Sequence, residues 1–424
     1  MNQTYRPSQS SNNGRLIGPA ERSDANNDGG RKMLSGGRVN APVTILCLIT
    51  SVSVGGAETM LYKLLSRLDR TRFRVQVIAL IDFGPTPISE KIHKLGIPIR
   101  YLGMRPGRPN PASVVRLIRW LRQDPPDLIN TWMYHSDLIG GLAARLVGGI
   151  PVAWGIRQST LDPEESSRLT FLTVKTCAYL SRWLPDRIIC CSEASRQVHA
   201  TLGYAGEKMV TIPNGFDLET CRPDPVAYES VRKELQIPEE VLVIGLVGRF
   251  HPQKDHRTFV QAARLLHLDR PNVCFVLCGT DVDWENQVLA RWIGEAGIQK
   301  RVYLLGRRDD IPRLTASFDI GSSSSSFGEG FPNVIGEAMS CAVPCVVTDV
   351  GDSAHIVGQT GTVVPLKNPV ALARAWRNMV DLGPEGRSQL GMAARQRIKE
   401  QFDLPQIVAR YECLFQEVAC GERV

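Results

Sequence analysis

The 424-residue sequence contains no apolar run able to cross a bilayer as a helix. Its strongest run, residues 43–50, falls far short of the roughly 20 residues required. It has no paired Cys-x-x-Cys units, and its 11 cysteines are an odd number. The length excludes a mini-protein held by disulfides, and the cysteine pattern fits a reducing, cytosolic compartment best. Cys190 and Cys191, like Cys274 and Cys278, sit in strand-like apolar segments and read as core. Cys341 and Cys345 have no second ligand pair at zinc spacing, and His251 and His256 have no Cys or carboxylate at such spacing. No G-x-G-x-x-G turn announces hydride chemistry, and the run from Ser322 to Ser326 contains no G-x-S-x-G nucleophile elbow. No Lys/Arg run interleaved with aromatics singles out nucleic acid as a partner.

What is present is ample apolar surface for real cores: 43% hydrophobic and 22% charged residues. The formal charge of +7 is unevenly spread. Residues 1–216 carry 27 Lys and Arg against 16 Asp and Glu, whereas residues 217–424 carry 23 against 27. The basic half suits an anionic membrane or a phosphate-bearing substrate.

Residues 1–40 are rich in Ser, Asn, Gly, Asp and Arg, with almost no apolar periodicity, and read as a disordered tail. The run 43–50 followed by Gly55, Gly56 and Ala57 imitates a signal-peptide core and cleavage site. The long polar leader and the amphipathic continuation argue against that. Thereafter strand-like segments at 44–49, 74–80, 97–102, 128–131, 152–156, 188–192 and 210–213 alternate with helical periodicity. A second series follows at 241–248, 273–278, 302–305, 319–322, 345–348 and 361–364. Continuous Val/Ile/Leu strands joined by helices predict parallel sheets covered on both faces. The expected architecture is α/β, with two Rossmann-like doubly wound domains facing across a cleft. The expected boundaries are 41–216 and 217–395, with C-terminal helices over 396–424 that cross back to the first domain. In such sheets ligands bind beyond the carboxyl ends of the strands, so motifs just after strands carry the chemistry.

The sharpest motif runs Phe327-Gly328-Glu329-Gly330-Phe331-Pro332-Asn333-Val334-Ile335-Gly336-Glu337-Ala338-Met339. Pro332 suits a helix start, so the amides near Phe331, Pro332, Asn333 and Val334 form an anion site. Glu329 in the loop and Glu337 in the helix would accept bonds from sugar and ribose hydroxyls. Arg249, in Gly248-Arg249-Phe250, and Lys254 follow another strand and could neutralise a diphosphate. Gly55 and Gly56 open a helix after the first strand, letting backbone approach a ligand. His135 follows the 128–131 strand, and Asn214 lies in a turn after 210–213, either a hinge or an acceptor contact. Each has a bland alternative: a solvated loop, an exposed cation pair, a common Gly-Gly turn, a structural histidine.

Taken together these residues resemble the retaining glycosyltransferases of family 4, with the GT-B fold, whose mark is two glutamates with seven residues between them. The resemblance spans about 43–369. It implies that Arg249 and Lys254 bind the donor pyrophosphate, that Gly55 and Gly56 line the acceptor side near the donor phosphates, and that His135 contacts the donor sugar. Glu337 would hold the ribose and Glu329 the sugar. Gly155-Ile156-Arg157-Gln158-Ser159 stands where many members have a Thr/His-containing loop, and is a departure.

The implied activity is transfer of a hexose-type sugar from a nucleoside diphosphate sugar to a saccharide or lipid-linked acceptor, in polysaccharide or glycolipid synthesis. No metal or other cofactor is expected. Two alternatives stay open: a nucleotide-sugar 2-epimerase, and a non-catalytic nucleotide-sugar binding protein. Arg116, Arg119 and Arg122 beside Leu117, Ile118 and Trp120, with Arg182 and Trp183 further on, suit either a peripheral contact with an anionic membrane or core-packed amphipathic helices. The expected location is the cytoplasm, including the inner face of its membrane.

Overall fold

The computed structural model describes residues 41–53, 55–106, 110–159 and 168–421. The expected tail, 1–40, lies outside them. The described residues from Pro42 onward form one compact unit that carries two parallel sheets.

The first sheet is built from β1 (Val43–Ile49), α1 (Gly56–Arg67), β2 (Phe73–Ile81), α2 (Pro87–Lys94), β3 (Ile99–Met104), α3 (Pro111–Gln123), β4 (Leu128–Trp132), α4 (Tyr134–Leu146), β5 (Val152–Ile156), α5 (Arg168–Leu180), β6 (Arg187–Cys190), α6 (Glu193–Thr201) and β7 (Met209–Thr211). The second comprises α7 (Pro225–Leu235), β8 (Leu242–Val247), α8 (His256–Asp269), β9 (Val273–Cys278), α9 (Gln287–Ala296), β10 (Val302–Leu304), α10 (Ile311–Ala316), β11 (Ile320–Ser323), α11 (Asn333–Ser340), β12 (Cys345–Thr348), α12 (Ser353–Val357), β13 (Gly361–Val364), α13 (Pro369–Asp381) and α14 (Gly383–Gln401). The closing helix is α15 (Leu404–Cys420).

Strand order is β3-β2-β1-β4-β5-β6-β7 in one sheet and β10-β9-β8-β11-β12-β13 in the other. Each order reverses once, between β1 and β4 and between β8 and β11, and a crevice opens at such a reversal. The central strands β4, β5 and β9 are buried throughout; β5 and β9 are apolar on both faces, and the polar Asn130 and Thr131 of β4 are hydrogen-bonded to the Ala153 carbonyl and to Asp137. Helix starts are written in the sequence. Thr86 caps α2 in a capping box, Asn110 with Pro111 caps α3, Asp224 with Pro225 caps α7, and Asn368 with Pro369 caps α13.

The chain crosses between the halves twice, at neighbouring points. Phe216 N–H bonds to the Phe402 carbonyl at 2.9 Å, and Leu404 N–H returns to the Phe216 carbonyl at 3.0 Å. Beyond that crossing, Leu404, Ile407, Tyr411 and Phe415 of α15 join the core formed by β1, β2 and α1. Helix α15 thus joins α1 and α2 on one face of the first sheet, while α3, α4 and α5 cover the other.

Candidate active site

Four loops emerge at the two strand-order reversals and carry nearly every residue singled out by sequence. After β8 comes Gly248 to Lys254, and after β11 the serine run that leads to Glu329 and α11. Ser326 N–H bonds to the Gln253 carbonyl at 2.8 Å, and Ser324 Oγ donates to the Lys254 carbonyl at 2.8 Å, so the two loops are held as one. Within this frame Lys254 Nζ lies 2.6 Å from Glu329 Oε1, which also accepts from Ser325 Oγ at 2.8 Å. A lysine ammonium has three donors, so this pairing leaves others for an anion. Arg249 is exposed beside it and pairs with no carboxylate among the described residues.

Gly351 supports the Glu329 loop from behind. It has φ +55°, and a Cβ there would stand 2.1 Å from the Glu329 carbonyl oxygen. Only glycine satisfies both the conformation and the space.

Helix α11 begins at Asn333 with Pro332 before it and no side-chain cap, which leaves first-turn amides for a ligand. Asn333 itself is tied across the cleft: Asn214 Nδ2 donates to Asn333 Oδ1 at 2.8 Å and to the Phe331 carbonyl at 3.3 Å. Asn333 Nδ2 also lies close to Gly56, 3.5 Å from where a Cβ would be. The starts of α1 and α11 therefore face each other. Gly55 is the uncapped N-cap residue of α1, and a side chain there would collide with Glu58. The Phe331 ring does not face the cleft. It is buried against Phe216 and Phe402, so this residue offers the site its backbone alone.

Glu337, one turn into α11, meets Lys63 of α1 with 3.2 Å between Nζ and Oε1. It also lines a hollow with Val247, Ile311, Thr315 and Val334. His135 is the second residue of α4 and is half-buried. Burial holds its imidazole below the ordinary pKa, so it is neutral at neutral pH. The residue before α4, Met133, has φ +73°, a conformation unusual for a side chain of that size and of a kind found where function holds the backbone.

Asp352, Ser159 and Lys63, which the sequence reading left without a role, bridge the halves. Asp352 accepts from the backbone N–H groups of Glu193 and Ala194 at 2.9 and 3.0 Å, capping α6 from the opposite half. Ser159 Oγ donates to the Glu329 carbonyl. Arg157, from the departing loop, lies 3.8 Å over the Trp132 ring and donates to Tyr411 Oη at 2.7 Å, with no carboxylate partner among the described residues. Local signals existed for Asp352, a polar residue after a strand, and for Arg157, which breaks the expected pattern. For Lys63 there was none. Among the described residues, no group of three or more His, Cys, Asp or Glu side chains is arranged to hold a metal ion.

Comparison with known proteins covers both halves of the chain. A model described as Glycosyltransferase Family 4 matches residues 54–220, and one described as Glycosyl transferases group 1 matches residues 241–381. The chain belongs to glycosyltransferase family 4. A curated relative from Escherichia coli, UDP-Gal:alpha-D-GlcNAc-diphosphoundecaprenol alpha-1,3-galactosyltransferase, is 27% identical over 248 residues, 58% of this chain and 63% of that enzyme. The Bacillus subtilis protein EpsF is 26% identical over 84% of this chain and 94% of its own length. Among solved structures, Anabaena HepE in complex with UDP superposes with a TM-score of 0.77 at 23% identity, covering 88% of this chain and all of that one. Sucrose-phosphate synthase from Thermosynechococcus elongatus gives 0.73 at 18%, covering 89% and 100%. This family 4 chain therefore has the GT-B fold, two Rossmann-like sheets facing across a cleft.

Proposed function

We propose that this family 4 protein transfers a hexose-type sugar from a nucleoside diphosphate sugar to a saccharide or lipid-linked acceptor, with retention of anomeric configuration. The observation that carries the reading is the Lys254–Glu329 pair, 2.6 Å apart beside the uncapped start of α11. A cation, a hydroxyl-accepting carboxylate and open amides are what a sugar joined to a diphosphate requires.

The nucleoside lies at the outer rim of the hollow along Val247 and Glu337, with Glu337 accepting from the ribose hydroxyls. The diphosphate rests on the α11 amides, Arg249 and Lys254, which stabilise the charge that grows on it as its bond to the sugar breaks. Glu329 holds the sugar hydroxyls, and neutral His135 orients the sugar from the opposite half. The acceptor hydroxyl attacks the anomeric carbon on the face from which the diphosphate departs, and its proton passes to a departing phosphate oxygen. No metal is called for, because Arg249, Lys254 and the helix amides supply the positive potential. Closure of the halves excludes water and so limits wasteful hydrolysis.

The Escherichia coli relative is named for transfer from UDP-Gal to a GlcNAc-diphosphoundecaprenol, which favours a UDP-sugar donor and a lipid-linked acceptor at the inner face of the membrane, in polysaccharide or glycolipid synthesis. The test is to supply UDP-sugars with and without a diphosphate-lipid glycan acceptor in the presence of EDTA. UDP release and the anomeric proton coupling of the product are then followed. Acceptor-dependent release with retained configuration is expected. Donor consumption without any acceptor would instead indicate an epimerase, and an inverted product would refute the mechanism.

A further inference from the structure

Helices α3, α4 and α5 pack side by side on the face of the first sheet opposite α15. Every charged side chain that they turn outward is cationic: Arg116, Arg119 and Arg122 from α3, Arg145 from α4, Arg168 and Lys175 from α5. Their single carboxylate, Asp137, is buried. The helices on the other face mix signs, with Glu90 beside Lys91 and Lys94 on α2 and with Glu412 and Glu417 on α15.

The same outer face exposes large apolar side chains. Leu146 on α4 is 61% exposed and Leu172 on α5 is 60% exposed. Tyr179 and Trp183, at the end of α5 and just after it, are 71% and 59% exposed, their rings 5.1 Å apart. Along α5, Arg168, Leu172, Lys175, Tyr179 and Arg182 recur at spacings of four and three, which aligns cations and apolar groups in one outward stripe. The apolar residues that the sequence had suggested for this role differ in part: Leu117 is buried and Ile118 and Trp120 are half-buried, packed toward the sheet.

We propose that this face docks on an anionic lipid bilayer, the cations pairing with headgroups while Leu146, Leu172, Tyr179 and Trp183 enter the boundary between headgroups and acyl chains. Uniform positive charge attracts any polyanion, but exposed leucines gain nothing from a phosphate backbone in water, whereas they gain by leaving water at a membrane interface. Tyr and Trp suit that interface because each has an apolar body and a polar tip. Docking does not depend on the donor chemistry above. It can be measured with no sugar nucleotide present, so failure of one reading is distinguishable from failure of the other.

The experiment is co-sedimentation of the full chain with phosphatidylcholine vesicles, with and without phosphatidylglycerol, at low and high salt. Binding to the anionic vesicles alone, reversed by salt, is the expected result. Replacing three cations together, Arg119→Gln, Arg145→Gln and Lys175→Gln, should weaken binding by at least about tenfold. The pair Tyr179→Ser and Trp183→Ser should weaken it by a similar factor, on the order of tenfold. Both variants should keep the wild-type melting temperature and nucleotide response. Equal binding to neutral and anionic vesicles, no binding to either, or variants that bind like wild type would overturn the proposal. Since the lipid and salt series uses only the wild-type chain, it stands even if a variant misfolds.

Discussion

Lys254 Nζ and Glu329 Oε1 stand 2.6 Å apart although 75 residues separate them in the chain. The two strands that deliver them, β8 and β11, are neighbours at the reversal of strand order, and backbone and serine hydrogen bonds join their loops. The fold thus sets a cation and a carboxylate side by side at the mouth of the second sheet. With a ligand absent, each neutralises the other. In the proposed donor complex Lys254 meets the diphosphate and Glu329 the sugar hydroxyls.

Lys254→Ala should lower the rate of sugar transfer by at least about tenfold, as expected when one contact to developing charge is removed. Steady-state assays with a UDP-sugar donor measure this directly. Turnover close to wild type would remove the diphosphate from Lys254.

Glu337→Ala should weaken nucleotide binding by about tenfold, roughly 1.4 kcal/mol, read by titration calorimetry. Lys63→Met should have a smaller effect in the same direction, because Lys63 orients the Glu337 carboxylate from α1. An unchanged dissociation constant in the Glu337 variant would show that the ribose sits elsewhere.

Asp352→Ala removes a helix cap that one half of the molecule supplies to the other, with both carboxylate oxygens engaged. A stability loss of about 1 kcal/mol in chemical denaturation is expected, the usual effect of deleting a capping carboxylate. No loss would mean that the halves do not meet there in solution.

Asp137 gives stability a pH dependence of known sign. Burial pushes its carboxyl up to about 7, opposed in part by its bonds from Thr131 Oγ1 at 2.5 Å and Gly155 N–H at 3.2 Å. Its second oxygen is buried without a partner. Between the ordinary value near 4 and about 7 the folded state holds a proton that the unfolded state has released, so this group's stabilising contribution is lost as pH rises through that window. Asp137→Asn is neutral throughout. Its melting temperature relative to wild type should therefore rise between pH 4 and pH 7 and level off above. A constant difference would show that Asp137 is ionised in the folded protein over the whole range.

Most strands were legible because they are short, largely apolar runs between turn residues, and in a doubly wound sheet both faces need such side chains. β4, for instance, was read at 128–131 and spans Leu128–Trp132. The glutamates, Arg249 and Lys254 were legible because a strand, a glycine turn and a helix start surround them locally. Contacts between the halves were not. Lys63 and Glu337 lie 274 residues apart, Asp352 and Glu193 159 apart, and nothing in the neighbourhood of either partner marks the other. Side-chain direction within a motif was equally hidden. Phe331 stands amid site residues, yet its ring turns into the core because the crossing segments bring Phe216 and Phe402 against it.

The central claim, a nucleoside diphosphate site framed by Arg249, Lys254, Glu337 and the start of α11, is tested most directly by the melting temperature with excess UDP, GDP or ADP, in EDTA and then with magnesium. At about a hundredfold over its dissociation constant, the preferred nucleotide should stabilise the protein by roughly 2.7 kcal/mol. UDP is expected to give that shift, without help from magnesium, and Lys254→Ala and Glu337→Ala to reduce it. No shift with any of the three nucleotides, or an undiminished shift in both variants, would contradict the claim.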